Sequence, residues 1–85
     1  MKCHIGQNVR VCANRQQLAG VFIEGARATA LLKGIVLEVV SIDTTLPKVR
    51  VYTIENNNRD TEWWFWQDML QPLNLHVLGR RRGVR

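Results

Sequence analysis

The chain is poor in the residues from which common catalytic and metal sites are built. Its 85 residues include one tyrosine, two histidines, two cysteines and two prolines. There is no glycine-rich phosphate loop, no G-x-S-x-G and no H-E-x-x-H. The seven acidic side chains are scattered from Glu24 to Asp68, without a spacing that argues an acid–base pair. Cys3, His4, Cys12 and His76 contain no Cys-x2-Cys pair, so neither a metal site nor a cofactor is expected. Long apolar runs are missing too. "GIVLEVV" carries Glu38 and falls well short of the roughly 20 residues of a membrane span. The start, "MKCHIGQNVRV", has no apolar core of the kind a secretory signal needs. The expectation is a cytoplasmic, non-catalytic protein without membrane contact, both thiols reduced and buried or half-buried.

At this length the chain holds one domain at most, and a domain this small has little area to spare for a deep cavity. Its hydrophobic fraction of 46% and charged fraction of 22% are those of a globular protein. The net charge of +5 is unevenly placed. "RRRGVR", residues 80–85, holds four arginines and no acid; the rest has eight basic against seven acidic side chains, a net of +1. The expected organisation is a nearly neutral domain over residues 1–79 and a basic tail over 80–85. Gly79 and Gly83 flank Arg80, Arg81 and Arg82, so a mobile arm able to grip phosphates is expected there.

Strand signals dominate what remains. "NVRVC" (8–12) alternates Val9 and Val11 against Arg10 and Cys12, and "KGIVLEVVSI" (33–42) is β-branched and alternating. "KVRVYTI" (48–54) sets Val49, Val51 and Thr53 against Lys48, Arg50 and Tyr52, with Pro47 opening the strand. "ENNNRD" (55–60) is a turn, and "EWWFW" is the returning strand of a hairpin. After Trp66 the pattern predicts a 3₁₀ turn through Gln67 to Met69 and a closing strand near Leu70 to Leu73. The stretch 13–32 is too long for a plain turn and carries apolar groups of its own, so a short strand or helical turn is expected within it.

"KGIVLEVV", "KVRVYTI" and "WWFWQDMLQPL", in that order, resemble the SH3-like small-barrel superfold that includes KOW and Tudor-type modules. Gly34, Trp66, Leu70 and Leu73 take the matching places, and the likeness covers residues 6–73. It implies a mainly β, five-stranded, partly open barrel, with 13–32 as a long insertion after the first strand. It also implies a binding module more often than an enzyme. One SH3-like enzyme type, the plasmid-type dihydrofolate reductases, has a Val-Gln-Ile-Tyr stretch that "VYTI" (51–54) does not match.

Four of the aromatic residues sit together at 63–66. A strand sends neighbours to opposite faces, so Trp64 and Trp66 share one face and Trp63 and Phe65 the other. Parity alone leaves the inner pair open. Placing Trp66 at the inward position that the resemblance implies puts Trp64 and Trp66 inside, with Trp63 and Phe65 outside. Two functional readings follow. In one, Lys48, Arg50 and Tyr52 beside Trp63 and Phe65, with Arg80, Arg81 and Arg82, bind nucleic acid by stacking and phosphate neutralisation. In the other, the exposed rings or an open sheet edge hold a protein partner or a second copy of the chain.

Overall fold

The computed structural model describes residues 3–73; the basic tail with Arg80, Arg81 and Arg82, and His76, lie outside them. The described chain is mainly β. Strands β1 (Asn8–Val11), β2 (Leu37–Asp43), β3 (Arg50–Glu55), β4 (Glu62–Trp66) and β5 (Leu70–Pro72) form one antiparallel sheet in the order β4-β3-β2-β1-β5. The sheet is not closed: β4 and β5 are its two edges. A 3₁₀ turn, Gln67–Met69, separates β4 from β5 where the alternation breaks, as the sequence predicts.

The open segment 13–32 folds as two helices, α1 (Arg15–Ala19) and α2 (Gly25–Leu32). Five residues make too short a helix to persist by propensity, and α1 is held by its ends. Asn14 Oδ1 accepts from the Gln17 backbone N–H at 2.8 Å, and Gln17 Oε1 accepts from the Asn14 N–H at 2.9 Å. This reciprocal capping box satisfies two donors that would otherwise lack partners. The turn after α1 closes with Phe22 N–H donating to Ala19 O and Ile23 N–H to Leu18 O, at 3.0 and 2.9 Å. That is the bonding of a Schellman motif, and its hydrophobic partners Leu18 and Ile23 are both buried. Glycine usually fills the left-handed position of this motif; here Phe22 does, at φ 65°. Helix α2 ends more conventionally, at Gly34 with φ 98°, where a Cβ would sit 3.2 Å from Arg10 Nε.

Both helices lie over the inner face of the sheet. Leu18, Val21, Ile23, Ala28 and Leu31 join Val9, Leu37, Val39, Val51 and Phe65 in one core. Trp63 and Phe65 point into that core, at 7% and 0% exposure, and the half-buried Trp64 and Trp66 take the outer face. This reverses the inward assignment of Trp64 and Trp66. The register gives the reason: Phe65 lies opposite Val51 and Trp63 opposite Thr53, both inward, whereas Trp66 faces Arg50 and Trp64 faces Tyr52. A charged side chain cannot share the dry side of a small sheet without a partner there. Boundaries also move. β3 starts at Arg50, so Pro47 lies in the preceding bends and Lys48 just ahead of the strand; Lys33 and Gly34 belong to the end of α2. The ladder between β2 and β3 slips by one residue between Val39 and Ser41, a β-bulge at Val40.

Candidate functional site

The outer surface of β3 and β4 collects Arg50, Tyr52, Trp64 and Trp66, with Lys48 at its end. Cross-strand pairing sets Arg50 opposite Trp66 and Tyr52 opposite Trp64, so four side chains meet on one surface. Trp64 and Trp66 meet edge-to-face, centroids 5.2 Å apart at 82°. The Arg50 guanidinium lies 5.3 Å from the Trp64 ring and 5.5 Å from Tyr52, and Lys48 Nζ is 5.2 Å from Trp66. Cations and rings are therefore interleaved along the surface, at distances where the ring quadrupole attracts positive charge. Asp43 fixes the central cation: Arg50 Nη2 donates to Asp43 Oδ2 at 2.9 Å. Hydrogen bonds from the Thr45 hydroxyl and backbone N–H, and then from Arg50, hold the Asp43 carboxyl down at about 2.

Of the residues singled out in the sequence, Lys48, Arg50 and Tyr52 are thus brought together. Their ring partners are Trp64 and Trp66, not Trp63 and Phe65, which are core. Glu62 carried the missing signal: it shares a strand face with Trp64 and Trp66, and as a charged, exposed residue it marks that face as the outer one.

A second concavity, missed in the sequence, lies between the α1–α2 turn and β4, with a volume of about 240 Å³. Val21, Phe22 and Ile23 form one side and Glu62, Trp63 and Trp64 the other, with Arg27 and Tyr52 completing the lining. Phe22 is 86% exposed there, and the Arg27 guanidinium carbon lies 4.6 Å from the Trp63 ring centroid. Trp63 Nε1 is buried and has no hydrogen-bond partner among the described residues. Nothing local in "VFIEG" announced Phe22, whose outward ring follows from the left-handed turn at that position.

The thiols divide. Cys3 is buried, which raises its pKa and leaves the thiol protonated, whereas Cys12 is exposed rather than buried or half-buried as expected. Among the described residues no three His, Cys, Asp or Glu side chains cluster, and no helix is long and apolar enough to cross a membrane. No protein-family model matches the chain, and no curated protein or solved structure matches it.

Proposed function

We propose that this protein is a small, non-catalytic binding module of SH3-like architecture that holds single-stranded nucleic acid on the outer face of β3 and β4. The antiparallel run from β1 to β4, with β5 returning beside β1 after a 3₁₀ turn, supports the SH3-like reading. One observation carries the function: the contact series of Lys48, Trp66, Trp64, Arg50 and Tyr52, cations interleaved with rings over a continuous surface. Every base has a π-face, so rings hold a strand without regard to sequence, and adjacent cations neutralise its phosphates. The Asp43 pair keeps Arg50 in place before a ligand arrives. Arg80, Arg81 and Arg82 add charge that the nearly neutral body lacks.

Anisotropy titrations of a labelled oligothymidine against salt test this. Affinity falls as salt rises, and removing residues 80–85 reduces the logarithmic slope by about 0.7 for each phosphate that the arm no longer neutralises. The Trp64→Ala, Trp66→Ala double variant weakens binding at every salt concentration, since stacking contributes about 1–3 kcal/mol per base. Absence of binding at low salt defeats the proposal. The competing reading is a protein-interaction module or homodimer, favoured by the near-neutral charge outside residues 80–85. Light scattering separates the two, because a dimer that tightens in salt buries apolar rather than charged surface.

A further inference from the structure

The cleft between the α1–α2 turn and β4 has a composition that the outer face does not explain. Phe22 occupies a left-handed backbone position where a β-carbon is costly, yet its ring covers none of the core. Strain retained for an exposed ring points to use at that place. The floor holds Trp63, over nine-tenths buried, whose indole N–H finds no partner among the described residues. The Arg27 guanidinium carbon lies 4.6 Å from the Trp63 ring centroid, and its N–H groups are donors available to an acceptor. Neither Arg27 nor Glu62 forms an ion pair among the described residues. The cleft thus offers one guanidinium donor, one carboxylate acceptor, and rings from Phe22, Tyr52 and Trp64.

Its size narrows the occupant. At about 240 Å³ the cleft is smaller than the roughly 300–1,000 Å³ of sites for drug-sized ligands, so it takes about one ring system. Tyr52 and Trp64 belong both to the cleft and to the outer face, so a strand lying on that face passes its mouth. We propose that the cleft receives one guanine base of a bound single strand, stacked by Phe22. Arg27 donates to the O6 and N7 acceptors through two of its N–H groups, and Glu62 accepts from the N2 amino group. Guanine combines these two adjacent acceptors with a separate amino donor. This rests on the nucleic-acid reading above and adds a sequence preference to it.

The test compares a thymidine hexamer with the same hexamer bearing one central guanine, by anisotropy at low salt. The guanine oligomer binds about tenfold more tightly, the discrimination expected of a paired base-edge contact. Glu62→Gln and Arg27→Gln each abolish that preference while leaving thymidine binding in place. Phe22→Asn, in which asparagine suits the left-handed backbone, weakens the guanine oligomer by about tenfold through lost stacking. Equal affinity for both oligomers, or a preference that survives Glu62→Gln and Arg27→Gln, overturns the guanine site and leaves the outer-face function standing. Failure to bind either oligomer removes both. A dimer that Phe22→Asn dissolves shows the cleft to be an interface between copies of the chain, and also overturns the proposal.

Discussion

Asp43 holds Arg50 against two aromatic rings: the 2.9 Å ion pair fixes a guanidinium that lies 5.3 Å from Trp64 and 5.5 Å from Tyr52. The carboxyl titrates at about 2 in the folded chain against an ordinary 3.8. A lowered folded pKa means that ionised Asp43 favours the native state. Its contribution is complete above the ordinary value and is lost as pH falls through about 2. The urea midpoint of the wild type should exceed that of Asp43→Asn at neutral pH, and the two should converge as pH approaches about 2. A gap that is the same at both pH values contradicts the assignment.

The two aromatic pairs on β4 should differ in what they do for stability. Phe65 is fully buried, so Phe65→Ala should cost about 3–5 kcal/mol and leave much of the chain unfolded. Trp66→Ala removes a half-buried ring from the outer face and should cost clearly less. Urea denaturation of the two variants decides it. Equal destabilisation would mean that Trp66 is core after all.

Phe22 should be a position where stability and binding oppose each other. Phe22→Asn relieves a left-handed β-carbon and loses little burial, so the variant should gain about 1 kcal/mol and melt higher. An unchanged or lower melting temperature would show that the phenylalanine backbone is not strained.

The capping box should matter more to α1 than the helix's length implies. Asn14→Ala removes the acceptor for the Gln17 N–H and should cost about 1 kcal/mol. Amide exchange should accelerate first at Gln17 and Leu18. Uniform acceleration along the chain would place the loss elsewhere.

Much of the sheet was legible because its alternation is strong. Val9, Val11, Leu37, Val39 and Val51 all stand on the dry side, and the 3₁₀ turn falls where Gln67 ends the aromatic run. The helices of 13–32 were less so, since α1 exists through a cap and a turn rather than through propensity. The aromatic pairs were misplaced because four bulky rings in succession have no hydrophobic alternation, and only Glu62 and the partner strand break the tie. The cleft depended on Phe22 adopting a backbone angle that its residue type disfavours, which no local preference would announce.

The slip at Val40 decides which residues can ever meet a ligand. Before it, the odd-numbered Leu37 and Val39 face inward; beyond it, Ile42 packs against the core while Asp43 stands across from Arg50 on the wet side. One surplus residue has exchanged odd for even. Were Val40 instead paired in a regular ladder, the count would run on unbroken, carrying Asp43 under the helices and Ile42 into solvent. Arg50 would then lose its anchor although no side chain at the site had been altered. Deleting Val40 removes only the bulge and should keep Ile42 inward and Asp43 opposite Arg50, whereas inserting one residue between Ser41 and Ile42 exchanges their faces and should be tolerated far less than substitution there.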